Sequence, residues 1–314
     1  MDFLPSWLLK INLVDLIFIT FTITMVIFSA LMNSIEPYLP VSIRQSIRYG
    51  KFAYTGKDQD KLVSMMEVPK SWFKHFYLFA AAYSAIAMFL VTFVYLRGMS
   101  VPGIVIGFLD LVYGFNRTEK IDSTTTFVAM LLITAQCLRR FYETHFVQIF
   151  SAKGKINFSH YMVGYLHYFG TVTAILGAAN GFVAGSEVIK PQLTDLSPRH
   201  FCSIILFICA WTLQYQSNMI LVNMRKGKDG KVVTQKHLMP QGGYFEKVSA
   251  PHMYFEILMY VALFGLLYQN VTSLYIVVWV LSNQVHNALM THKWYQENFK
   301  DYPKQRKAIF PNIL

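Results

Sequence analysis

His252 and Glu256 stand four residues apart, a spacing that puts two side chains on one helix face. The pair follows Pro251, a residue suited to a first helical turn, and precedes the apolar run ILMYVALFG. A carboxylate and an imidazole there could cap a helix, hold a polar ligand or move a proton. Gln214, Asn218 and Arg225 also return to one helix face. The two amides could join neighbouring helices or meet a ligand. Arg225, at the end of its run, could be a flanking charge or a phosphate grip. Glu67 and Pro69 lead into another apolar run in MMEVPKSWFKHFY, and Asn283, Asn287 and His292 punctuate the last one. Ionisable groups are costly in hydrocarbon, so in such segments they usually mark a site.

The elements that must position these residues are long and apolar. The 314 residues are 54% hydrophobic and only 14% charged, where a soluble protein carries about 25%. Apolar runs cover residues 13–32, 72–96, 124–150, 161–184, 201–222, 252–269 and 271–291. Most reach the roughly 20 residues a spanning helix needs. The expected fold is an all-α membrane protein with about seven transmembrane helices in one domain over 1–314. A tight turn at 269–270 joins the last two. The run 101–113 carries Pro102, Gly103, Gly107 and Asp110 and reads as a re-entrant or surface segment. The first run is expected to be a retained helix, since no cleavage site follows it. With the N-terminus luminal and the C-terminus cytosolic, about nineteen Lys and Arg face the cytosol and about six the lumen, the positive-inside pattern.

The net charge of +11 is therefore mainly topological. No helix-turn-helix or zinc-finger pattern accompanies it, and no nucleic-acid partner is expected. Lipid headgroups and an anionic cytosolic ligand both remain open. Cys137, Cys202 and Cys209 all lie in apolar runs and read as packing residues without a disulfide framework. Neither phosphate-cradling glycine motif occurs, nor CxxC or HExxH, so no metal is expected and a nucleotide must be held by helix ends and loops. From the residues alone, enzyme, transporter and receptor stay open. The lack of two inverted halves weighs against a transporter.

Ordered blocks go further. RYGK at 48–51, EVP at 67–69 with WFKHFY, LRRFYETHFVQIFS at 138–151, QYQSNMILVNMRK, PQGGYFEKVSAPHMYFE and DYPKQRKAIFPNIL resemble the steroid 5-alpha-reductase family of the endoplasmic reticulum, and most closely its polyprenol reductase branch. The resemblance implies seven transmembrane helices and NADPH-dependent reduction of a carbon–carbon double bond. It implies cofactor contacts from Tyr49, Lys155, Gln214, Asn218, Arg225, His252, Glu256, Tyr295 and Arg306, to which we add His292. Gln214 and Asn218 stand where steroid-reducing members show Asn and Asp, and Lys155 replaces a family Arg. The substrate side is expected mainly over 48–150 and the NADPH side over 210–314.

Hydride adds readily only to an alkene conjugated with a carbonyl, where charge can develop on oxygen beside a donor. A plain allylic alcohol offers no such sink, so the expected substrate is a long-chain polyisoprenoid aldehyde. A partner dehydrogenase would then form it from the alcohol. Glu67, protonated in an apolar pocket, is expected to donate to the carbonyl oxygen, with Tyr142 sharing that role. Lys153, Lys155 or the basic loop 225–247 is expected at the cofactor 2′-phosphate. The rivals are reduction of a steroid or an enoyl thioester on the same fold, a membrane methyltransferase, and a lipid transporter or receptor.

Overall fold

Each apolar run becomes a helix, and polar residues that precede several of the runs supply their caps. A computed structural model describes residues 10–53, 56, 58–152 and 154–314. Lys57 and Lys153 lie outside the described residues. Helix α1 (Leu13–Ser34) starts where Asn12 accepts from the backbone N–H groups of Val14 and Asp15. Short helices α2 (Val41–Ile47) and α3 (Lys61–Met65) lead to α4 (Phe73–Arg97). Then come α5 (Gly103–Tyr113), α6 (Ser123–Tyr142), α7 (Phe158–Gly177), α8 (Pro198–Asn223), α9 (Pro251–Leu267) and α10 (Val271–Asn298). Asp122 caps α6, Ser197 and His200 box the start of α8, and Asn270 caps α10.

Three segments are long and apolar enough to cross a membrane, Leu13–Ser34, Lys70–Arg97 and Pro198–Asn223. Helix α9 is apolar but only 17 residues long. Of the expected seven or so transmembrane helices, a helix falls on each apolar run, but among the described residues three segments have the length and composition to cross. Helices α6 and α10 have the length but carry polar side chains, those of α6 bonded to α8 and α9 and Asn287 of α10 to Tyr49. Helix α5 has 11 residues, about 16 Å, and is too short to cross.

An all-α fold is not the whole account. Glu67–Pro69 (β1) pairs antiparallel with Lys155–Asn157 (β2), setting Glu67 opposite Asn157. Pairing between such distant segments leaves no periodic signal in so short a run. The cysteines also differ from expectation: Cys137 is buried, but Cys202 and Cys209 lie exposed on the outer face of α8.

Helix α7 lies at the centre. A Cβ at Gly164 would meet the Phe76 ring at 2.6 Å, and one at Gly170 the Phe18 ring at 2.7 Å. At one end of the bundle, Tyr113 donates its hydroxyl proton towards Asn270 Oδ1 (2.8 Å) and Thr272 Oγ1 (2.7 Å). Asn270 donates to the Ala174 carbonyl at 2.9 Å, and Thr272 to Asp15 at 2.6 Å. This hub ties α1, α5, α7 and α10. The opposite end gathers the basic residues: Glu36 pairs with Arg48 and, at 3.2 Å, with Lys293. Tyr113→Phe is expected to cost about 1 kcal/mol, lowering the thermal unfolding midpoint in detergent. An unchanged midpoint would show that the hub holds nothing.

Candidate functional site

Gln136, Arg139, Arg140 and Glu143 share one face of α6, and the helix turns that face towards α8 and α9. Gln136 Nε2 donates to Gln214 Oε1 (3.2 Å) and Glu256 Oε2 (3.3 Å). Arg139 donates to Gln136 Oε1 at 2.8 Å and also bonds Gln214 and the Trp211 carbonyl. Its guanidinium lies 4.5 Å from the Trp211 ring centroid. Gln214 Nε2 donates to Glu256 and, at 3.1 Å, to the His252 carbonyl. Glu143 opens a π-helical turn, Glu143–Val147. It accepts from Asn218 Nδ2 at 2.9 Å and pairs with Arg139 (3.4 Å) and with Arg140. Arg140 also reaches the Tyr77 hydroxyl at 3.1 Å. Two guanidinium groups and two carboxylates thus face each other, and Gln136, Arg139, Glu143 and Gln214 are buried.

The last turns of α10 and the residues that follow α8 and α10 build a second layer at the basic end. Arg225 donates to the Ile149 carbonyl (2.9 Å) and meets His237 Nδ1 (2.8 Å). Burial lowers its pKa, an effect that neighbouring Tyr295 opposes. His292 Nδ1 lies 2.7 Å from Ser249 Oγ. Tyr295 stacks on Tyr302, centroids 5.9 Å apart. Arg306 is buried, donates to the Pro240 carbonyl at 3.0 Å and lies over the Tyr302 ring at 5.3 Å. The tail is held by backbone pairing: Ser249 N donates to the Lys307 carbonyl at 2.8 Å and Lys307 N to the Lys247 carbonyl at 3.0 Å. Tail residues 306–309 therefore lie against the segment that enters α9.

Tyr49 donates to Asn287 Oδ1 at 2.7 Å, and its ring centroid is 5.0 Å from that of His160. Burial pushes the Tyr49 pKa up to about 12, so its hydroxyl is a neutral donor. Glu67 does not lie in the expected apolar pocket. Its side chain is 20% exposed, 3.3 Å from Lys155 Nζ and 3.4 Å from Gln45 Nε2. Lys155 is therefore engaged with a carboxylate instead of standing ready for a phosphate. Tyr142 is not brought to the cluster. It is 53% exposed on the outer face of α6 and packs against Phe146, while Arg139 and Glu143 point inward.

The sequence model of the family described as 3-oxo-5-alpha-steroid 4-dehydrogenase matches residues 156–314. A Drosophila melanogaster protein named polyprenal reductase is 50% identical over 308 residues, covering 97% of this chain and 94% of its own. The chain belongs to the steroid 5-alpha-reductase family. It is a reductase that acts on carbon–carbon double bonds. Proteins also named polyprenal reductase in Caenorhabditis elegans and Homo sapiens are 33% and 28% identical to the reductase, each over 85% of both chains. The match over 156–314 takes in Gln214, Asn218, Arg225, His252, Glu256, His292, Tyr295 and Arg306. Tyr49, Glu67 and the α6 arginines precede it.

Reading the sequence of the reductase found the α8 and α9 half of the network and missed the α6 half. The missed signal was periodic: polar residues at 136, 139, 140 and 143 recur at helical spacing inside an apolar run. Glu143→Gln is expected to destabilise the protein by about 3–5 kcal/mol, because it leaves buried guanidinium charge unbalanced. Adding Arg140→Met should recover part of that loss in a double-variant unfolding cycle. Strict additivity of the two changes would mean that the charges do not interact.

Proposed function

We propose that this chain is an NADPH-dependent polyprenal reductase of the endoplasmic reticulum membrane. It saturates the alpha-isoprene double bond of polyprenal, on the route to dolichol and so to protein N-glycosylation. The observation that carries the reading is the 50% identity to the fly polyprenal reductase across 97% of the chain. The seven long helices span the bilayer in this reading, with the N-terminus luminal and the basic end in the cytosol. The chain is one domain, with its substrate side mainly over 48–150 and its cofactor side over 210–314.

The cofactor suits the residues at the basic end. Among the described residues, Arg225 forms no ion pair with a carboxylate, and the buried Nε of Arg306 has no hydrogen-bond partner. Guanidinium groups short of anions match the phosphates of a dinucleotide. Arg225, His292, Tyr295 and Arg306 would hold its phosphate end. Tyr49, Gln214, Asn218, His252 and Glu256 would hold the part nearer the reacting carbons. When bound, NADPH supplies the hydride that adds to the beta carbon of the enal.

The chain's own residues handle the charge that follows. The Lys155 ammonium, held 3.3 Å from a Glu67 carboxylate that Gln45 steadies, donates to the aldehyde oxygen as negative charge gathers there. Solvent at the basic end returns a proton to the alpha carbon, and the product is the saturated aldehyde. Polyprenol offers no carbonyl for Lys155 to engage, so a partner dehydrogenase must form the aldehyde. The exposed apolar faces of α1, α4 and α8 leave room for a long isoprenoid chain beside the protein.

Purified protein with NADPH is expected to consume polyprenal and leave polyprenol and a 3-oxo-4-ene steroid untouched, as followed by NADPH oxidation. Equal turnover of the alcohol would overturn the reading. Glu67→Gln should lower kcat by about 10²-fold with little change in NADPH affinity, whereas Tyr142→Phe should leave kcat near its starting value. A large loss with Tyr142→Phe alone would move the proton donor to α6.

A further inference from the structure

Lys70 took no part in the site expected from sequence, yet it stands at the centre of the basic end. Its backbone N–H donates to the Gly154 carbonyl at 2.8 Å, which fixes the residue beside the loop that precedes β2. Its Nζ lies 5.7 Å from the Tyr49 ring centroid. Gly50, whose φ of +60° suits glycine, lies beside the Lys70 ammonium: a Cβ there would be 2.8 Å from Lys70 Nζ. Among the described residues the Lys70 ammonium forms no ion pair or hydrogen bond. Arg225 reaches the same loop, donating to the Ile149 carbonyl at 2.9 Å where Lys70 meets the Gly154 carbonyl, and the two cations repel. Two half-buried cations with no carboxylate between them raise the local potential and favour an anion there. Lys155, the neighbouring cation, is engaged with Glu67.

We propose that Lys70 and Arg225 together form the subsite for a phosphate of the dinucleotide. The subsite rests on the NADPH reading above and adds to it a residue from the substrate half of the chain. Lys70 opens the segment that carries α4, and Arg225 closes α8. A phosphate between them would draw the two halves together as the cofactor binds.

The test is equilibrium binding to the full-length protein in detergent, followed by the fluorescence of bound NADPH and NADH. Lys70→Met should weaken NADPH by about tenfold or more, and Lys70→Arg should retain most of the affinity. An equal loss for NADH assigns the pyrophosphate, and an unchanged NADH affinity assigns the 2′-phosphate. Either result supports the subsite. Unaltered NADPH binding by Lys70→Met would overturn it. Should Lys70→Met fail to fold, judged by gel filtration, Lys70→Gln carries the same expectations. If the unsubstituted protein bound no NADPH, the cofactor reading itself would fail, and that arm is separate from the variants.

Discussion

Four charges inside an apolar bundle are the constraint on which the rest of the structure depends. Arg139, Arg140, Glu143 and Glu256 are taken from water, and each charge alone would cost several kcal/mol. They are tolerated because they balance and because amides complete their hydrogen bonds. Gln136 and Gln214 link Glu256 to Arg139, and Asn218 completes Glu143. Such a network admits few alternative arrangements. It sets how α6 meets α8 and α9, and thereby where Arg225 and the start of α9 come to lie.

The contrast between the two layers follows from that. Inside, charge is neutralised within the protein. At the basic end, among the described residues, Lys70 and Arg225 form no ion pair with a carboxylate, and Arg306 pairs at a longer distance with Glu246, 3.7 Å away. A layer of cations beside one that balances its own charges suits the anionic cofactor proposed for the basic end. The fold of the tail serves the same layer: backbone bonds pin residues 306–309 to the segment before α9 and keep Arg306 buried.

Much of this was legible in the sequence because helices are periodic. All seven long helices fall on the apolar runs, and the turn at 269–270 lies between Leu267 and Val271. Spacing and resemblance drew attention to Gln214, Asn218, His252 and Glu256, of which Gln214 bonds the His252 carbonyl and Glu256 while Asn218 bonds Glu143. Other features left no local trace. The β1–β2 pair depends on contact between segments far apart in the chain, and with it the placement of Lys155 on Glu67. Tyr142 adjoins Phe141 and Glu143, and only the phase of α6 decides that Glu143 points in while Tyr142 points out. Lys70 resembled one more flanking lysine until Gly50 and Tyr49 were seen beside it.

A structure determined by cryo-electron microscopy with NADPH added would test the central claim most directly. The account predicts dinucleotide density at the basic end, in contact with Arg225 and the segment that opens α9, with Glu143 still paired to Arg139 and Arg140. Dinucleotide density at the opposite end, near Tyr113 and Asn270, would contradict it.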